Sequence, residues 1–288
     1  MAHWTVRKLT KTYGRYQALQ SFDLDIDQGS FNILLGANGS GKSTLLRCLA
    51  GLEIWTSGSI SLNGRDRAQD RGDFNKGLIY LSEDLKPFSG PIERLFQFYR
   101  CLSSEFEEAR FRRILSIGDL NERQDYSSLS RGQKMLALTA LGMATRPSTL
   151  ILDEVTAVFD PHVRIELMQE LADLNRNFST TVILATNIAS EVQLVQGRVI
   201  ILARGSIIAE GKLSELSSEF AKVRSPIQQA LALKALGFTF VGRNADGSGS
   251  FLGPKSRRSQ IDFPIEDDLR AISAEEVFVY YAERGHGK

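Results

Sequence analysis

Nine residues, Gly36-Ala37-Asn38-Gly39-Ser40-Gly41-Lys42-Ser43-Thr44, constrain this chain more than any other stretch. They follow an apolar run, Phe31 to Leu35, that reads as a buried strand. They lead into Leu45 to Ala50, which reads as a helix with Gly51 at its end. A strand, a glycine-rich turn and a helix opening on Gly-Lys-Ser are the context of a phosphate-binding loop. Gly36, Gly39 and Gly41 let backbone N–H groups curl round a phosphate without side-chain obstruction. Lys42 supplies a point charge for the β/γ oxygens, and the Ser43 hydroxyl is placed to hold Mg2+. The helix N-terminus adds the positive end of its dipole. Alone, the loop implies a bound nucleoside triphosphate with Mg2+ and nothing more.

The rest of the composition excludes several classes. Lys and Arg number 35 against 34 Asp and Glu, a net charge of +1, so no nucleic-acid partner is expected. With 288 residues, 42% apolar and 24% charged, the chain can bury a sizeable core without disulfides. No apolar run approaches the ~20 residues of a membrane span, and no basic-then-apolar leader opens the chain. Any membrane role is therefore expected to come through a partner. Cys48 and Cys101 sit inside apolar helix patterns and are expected to be buried thiols.

Patterning divides the chain. Residues 4–35 alternate apolar and polar in short runs separated by Gly14 and Asp27-Gln28-Gly29, which predicts a small antiparallel sheet before the loop. Residues 58–64 form another alternating strand ending in an Asn-Gly turn, and Leu78 to Leu81 a buried one. From Pro87 to about Ala144 the period becomes helical, through Ile92, Leu95, Phe96 and Tyr99. Strands follow at Thr149–Asp153 and Thr181–Ala185, with a helix begun by Asp160-Pro161 between them. A hairpin is predicted about Arg204-Gly205. After Lys212 the composition shifts to a turn-rich hairpin, a basic spot at Lys255, Arg257 and Arg258, and a last helix behind a Ser273–Glu276 capping box. The predicted fold is α/β: a P-loop NTPase core with an N-terminal antiparallel β subdomain and a helical insert at about 87–145. A small C-terminal α+β extension, 213–288, follows the core of residues 1–212.

Two further motifs bear on chemistry. Asp153 and Glu154 stand at the tip of a buried strand, where ligands of open α/β sheets gather. One acid there can hold the Mg2+ shell while its neighbour polarises water for attack on the γ-phosphate. Leu129-Ser130-Arg131-Gly132-Gln133 opens a helix. Ser130 and Gln133 fit a plain capping box, and the same end offers N–H groups, a hydroxyl and a dipole to phosphate.

Those five residues, just ahead of the Asp153–Glu154 strand, resemble the Leu-Ser-Gly-Gly-Gln signature of ABC-transporter ATPases. The resemblance covers about residues 4–212. It implies an ATP-hydrolysing subunit that packs head to tail with a second cassette, each ATP lying between one phosphate loop and the other chain's signature. Ser130, Gly132 and Gln133 would then serve a partner's nucleotide, and Asp160 would match the loop that crosses that interface. Tyr13 would stack on adenine. The insert would receive a coupling element from an integral-membrane permease, placing the chain peripherally at the cytoplasmic face.

Departures from the family pattern sharpen the expectation. Glu83 stands where relatives have a glutamine that contacts Mg2+ and water, and a carboxylate can still ligate Mg2+. Glu83 and the tail also resemble cassettes of exporters, which leans the expectation to export. Asn187 stands where relatives place a histidine against the γ-phosphate. Asparagine can donate a hydrogen bond but carries no proton or charge, so slow hydrolysis with retained nucleotide affinity is expected. That leaves a second reading, an ATP-binding switch with weak or no turnover. Val155 and Arg131 also depart, at positions expected to be tolerant. His3, His162 and His286 have no metal-ligand spacing. A guanine-specific Asn-Lys-x-Asp is missing, since Asn75-Lys76 runs into Gly77-Leu78.

Overall fold

The computed structural model describes residues 2–69, 76–82 and 89–285. Strands β1 (Ala2–Tyr13) and β2 (Tyr16–Asp27) pair antiparallel. In β2, Phe22, Leu24 and Ile26 are buried while Asp23, Asp25 and Asp27 face water, the alternation of a half-buried sheet. β3 (Phe31–Leu35) is buried throughout and ends at the glycine loop, which feeds α1 (Lys42–Ala50). β4 (Ser57–Leu62) and β5 (Arg65–Asp66) turn about Asn63-Gly64 and complete a sheet of order β2-β1-β4-β5.

β6 (Leu78–Ser82) precedes the helical insert: α2 (Ile92–Leu102), α3 (Glu108–Ile117) and α4 (Arg131–Ala144). The chain returns through β7 (Thr149–Asp153), a tight turn at Val155–Val158, α5 (Pro161–Phe178) and β8 (Thr181–Thr186). A short helical turn at Ala189–Leu194 leads to the hairpin β9 (Arg198–Ala203) and β10 (Ser206–Lys212). Among the described residues the central sheet has order β10-β9-β3-β8-β7-β6, with β10 antiparallel at its edge and the others parallel.

A parallel sheet needs both faces covered, and the strands supply two apolar faces. Ile33, Leu150, Leu152, Val182 and Leu184 join a core with the insert and α5. Leu34, Ile151, Ile183 and Ile200 join a second core with α1 and the N-terminal sheet. The chain runs from β3 out to the edge strand β6, steps back through β7 and β8, then passes to the far side of β3 as β9. The crevice beyond the C-terminal ends of β3 and its neighbours is thus the binding position of this sheet.

Within the insert, Ile92, Leu95 and Phe96 are buried, whereas Phe98 is 60% exposed. Phe88, just ahead of this helix in the sequence, lies outside the described residues. Cys48 is buried, and burial pushes its thiol up to about 12. Cys101 is exposed, against expectation. It follows Phe96 by five positions, about 140° round the helix, which turns it away from the inward stripe.

The tail adds α6 (Leu213–Ser218), β11 (Phe220–Ser225), α7 (Ala230–Ala235), β12 (Thr239–Arg243), β13 (Gly249–Pro254), β14 (Glu266–Asp267) and α8 (Ala274–Gly285). Its sheet has order β12-β13-β11-β14 over a small core of Val223, Leu233, Phe238 and Phe251. The capping box at Ser273 and Glu276 is formed, at 2.9 and 3.2 Å. Phe220, Ala274, Val277 and Tyr280 join the large core beside Ala189, Val192 and Val195. The predicted basic spot is partly tied down: Arg258 pairs with Asp267 at 2.7 Å, and Arg257 donates to the Leu236 carbonyl.

Candidate nucleotide site

The glycine loop is pinned from three sides. The Gly36 N–H donates to the Thr186 carbonyl, the Gly205 N–H to the Ser40 carbonyl at 2.9 Å, and the Tyr16 hydroxyl to the Gly39 carbonyl at 3.1 Å. A Cβ on Gly36 would lie 2.5 Å from Ser40 Oγ and 2.7 Å from the Leu202 carbonyl. At Gly41, φ is +105° and a Cβ would lie 2.7 Å from the Ala18 carbonyl. The Lys42 side chain is buried. Its Nζ donates to the carbonyls of Gly36 at 2.8 Å and Ala37 at 3.2 Å, and lies 3.1 Å from Glu154 Oε1.

β7 brings Asp153 beneath the loop. Ser43 Oγ donates to Asp153 Oδ1 at 2.8 Å, and the Tyr80 hydroxyl donates to Oδ2 at 2.9 Å. Burial raises the Asp153 carboxyl above its ordinary value, the Ser43 and Tyr80 bonds oppose this, and the Glu154 charge adds to it. Burial, and then the Asp153 charge, push the Tyr80 phenol up to about 12, so it stays a donor. Glu154 is left-handed, φ +56°, with its N–H on the Ala185 carbonyl at 3.0 Å. For a residue with a Cβ that conformation costs roughly 1–3 kcal/mol and is typical of functional positions.

Asn187, just past β8, donates from its amide to Asn38 Oδ1 at 3.4 Å. Lys42, Ser43, Asp153, Glu154, Asn38 and Asn187 thus meet at one end of the sheet. Ser130, Gln133 and Asp160 stand apart. Ser130 and Gln133 close the capping box of α4, and Asp160 accepts from the N–H groups of His162 and Val163 to cap α5. A Cβ on Gly132 would lie 3.2 Å from the Val158 carbonyl, so the start of α4 rests on the turn that leads to Asp160. Tyr13, at the end of β1, is 43% exposed with Lys11 Nζ 4.5 Å above its ring. Thr44 lies in the first turn of α1. Glu83 lies outside the described residues.

Three participants escaped the sequence reading. Tyr80 reaches Asp153 from the neighbouring parallel strand, a register that no local pattern announces. Arg164 on α5 donates to the carbonyls of Thr156 at 3.3 Å and Phe159 at 2.9 Å. Its Nε is 3.4 Å from Glu191 Oε1, and the Glu191 side chain is fully buried. Burial raises the Glu191 carboxyl, with Thr156, Thr186 and Arg164 opposing. The signal for that pair is an acid between Ser190 and Val192, in a segment that also carries Ile188, Ala189, Leu194 and Val195.

The residues present suit a nucleotide and a hard divalent cation. Ser40 Oγ is a buried hydroxyl with no partner among the described residues, in a cradle that a Cβ at Gly36 would fill. Ser43 and Asp153 offer oxygen ligands, the set Mg2+ prefers. Among the described residues no group of three or more His, Cys, Asp or Glu could hold a metal unaided.

Residues 19–157 match the family described as ABC transporter. The probable sulfate/thiosulfate import ATP-binding protein CysA of Chlorella vulgaris is 34% identical over 217 residues, covering 74% of this chain and 92% of that protein. The chain belongs to the family of ABC transporter ATP-binding proteins. It is an ATPase cassette, and among its described residues no helix is long and apolar enough to cross a membrane. The methionine import ATP-binding protein MetN of Rhizobium etli is 31% identical over 241 residues, covering 77% of the cassette and 63% of MetN. The cassette therefore spans under two thirds of that longer relative. Among solved structures, the ATP-binding cassette MJ0796, dimeric and bound to ADP and Pi after hydrolysis, aligns with TM-score 0.62 and 25% identity over 73% of this chain and 98% of that one.

Proposed function

We propose that this cassette binds ATP with Mg2+ at the glycine loop, pairs head to tail with a second cassette, and drives a separate integral-membrane permease from the cytoplasmic face. The observation that carries the reading is the convergence of Lys42, Ser43, Asp153 and Glu154 at the ends of β3 and β7. Lys42, held by two loop carbonyls, exchanges the Glu154 carboxylate for phosphate oxygens. Ser43 and Asp153 would hold the cation, with Glu83 as a further ligand from the sequence, and the bound cation would neutralise phosphate charge. Glu154, released from Lys42, takes a proton from the attacking water. Tyr13 stacks on adenine. Ser130, Gly132 and Gln133 present the N-terminus of α4 to the partner's phosphate, and Asp160 crosses the same interface. Residues 213–288 form an accessory region. Glu154→Gln should bind ATP, dimerise more tightly and fail to turn over; hydrolysis at the unaltered rate in that variant would refute the assignment.

One observation favours a second reading. Asn187 can donate a hydrogen bond but cannot hold a charge beside the γ-phosphate, which suits an ATP-binding switch. ATPase rates with and without the permease separate the two. On direction, the two relatives above are named import proteins, and the export lean drawn from Glu83 and the tail finds no support in those names. Identification of the permease that co-purifies with the cassette from membranes decides direction.

A further inference from the structure

We propose that Tyr80 is a positioning residue for the divalent cation: its hydroxyl anchors one oxygen of Asp153, so that only the other is offered, with Ser43, to the metal. This rests on the reading that ATP binds here with Mg2+.

The two carboxylate oxygens of Asp153 are divided between donors on different elements. Oδ1 faces Ser43 at 2.8 Å on the nucleotide side, and Oδ2 accepts from Tyr80 at 2.9 Å on the sheet side. Tyr80 comes from β6, where it lies opposite Ile151 while Ser82 lies opposite Asp153. Its ring packs on the apolar core beneath α1, so the hydroxyl is fixed by the sheet rather than by a mobile loop. The terminal torsion of an aspartate is broad and two-fold. Without an anchor the carboxylate can turn and present either oxygen, or both. Presentation of both suits Ca2+, which takes bidentate carboxylates in a flexible shell, whereas Mg2+ requires near-octahedral geometry with single oxygens. The Tyr80 bond therefore contributes both affinity for the small cation and discrimination against the large one. Partners that orient a ligating carboxylate typically influence metal affinity by roughly 10- to 100-fold.

The test uses the full chain saturated with a non-hydrolysable ATP analogue. Mn2+ is titrated and free Mn2+ read by electron paramagnetic resonance, and Mg2+ and Ca2+ are then compared as competitors. Tyr80→Phe keeps the packed ring and loses only the hydroxyl. It should weaken Mn2+ binding roughly 10-fold or more and narrow the preference for Mg2+ over Ca2+. Affinity for the analogue in EDTA should stay within about twofold, since the loop is untouched. Tyr80→Met, without hydroxyl or ring, is the second variant and should give the same shift. Tight Mn2+ binding by the unaltered chain together with unchanged affinity and Mg2+/Ca2+ preference in Tyr80→Phe overturns the inference and leaves the functional reading standing. Failure of the unaltered chain to bind Mn2+ overturns both.

Discussion

Replacing Arg164 by methionine should isolate a buried charge. Glu191 is fully buried, and its Oε1 lies 3.4 Å from Arg164 Nε. At an effective dielectric of about 20 that separation gives roughly 5 kcal/mol of attraction. Desolvating the carboxylate costs several kcal/mol, so the intact pair is close to break-even. Removing one member alone is different: Arg164→Met should cost about 3–5 kcal/mol. Glu191→Gln should cost less, because Arg164 retains solvent access with its side chain 19% exposed. In the double variant the Glu191→Gln change should restore most of what Arg164→Met loses, a coupling that additivity forbids. The pH dependence has a definite sign. Burial raises the Glu191 carboxyl in the folded chain, and loss of Arg164 raises it further. A raised acid contributes most below its unfolded value, and that contribution is lost as pH climbs through the folded value. The deficit of Arg164→Met should therefore be larger at about pH 8 than at about pH 5. Urea unfolding of the four chains at both pH values measures this. A deficit below about 1 kcal/mol, or one equal at the two pH values, refutes the reasoning. Arg164 also holds the carbonyls of Thr156 and Phe159, between Glu154 and Asp160, so turnover should fall along with stability.

Three other outcomes are expected. Asn187→His should raise ATP turnover by about 100-fold, the worth of a well-placed transition-state donor, with little change in ATP affinity; steady-state kinetics showing no gain would count against a role at the γ-phosphate. Ser130→Asp preserves a good helix cap, so melting should shift little, yet its negative charge would face a partner's phosphate and lower turnover by at least about tenfold. Equal activity would argue against a completing role for the start of α4. Gly36→Ala would force a Cβ to 2.5 Å from Ser40 Oγ and 2.7 Å from the Leu202 carbonyl. ATP affinity should drop at least about tenfold, read by fluorescence titration.

What the sequence made legible was local chemistry. The strand–loop–helix around Lys42, the capping boxes at Ser130 and Ser273, the Asp160-Pro161 helix start and the Asn63-Gly64 turn each depend on residues within a few positions, and all are formed. What stayed hidden depends on residues far apart in the chain. No pattern in Phe31–Leu35 says that its neighbours are β8 and β9. Tyr80 meets Asp153 only because β6 and β7 align in one register. Glu191 finds Arg164 across a helix and a strand. Cys101 is exposed although its pattern predicts burial, because apolar neighbours two and five positions away describe a helix without fixing which side is inward.

The seating of α8 has a practical consequence for chimeras. Val277 and Tyr280 lie in the same core as Ala189, Val192 and Val195, in the stretch that follows Asn187. A chain ended at Lys212 would leave those side chains facing water. A transplant of this tail onto another cassette must carry a matching apolar seat on the recipient. The cut between donor and recipient is therefore set by complementary surfaces, and the length of the joining peptide is secondary.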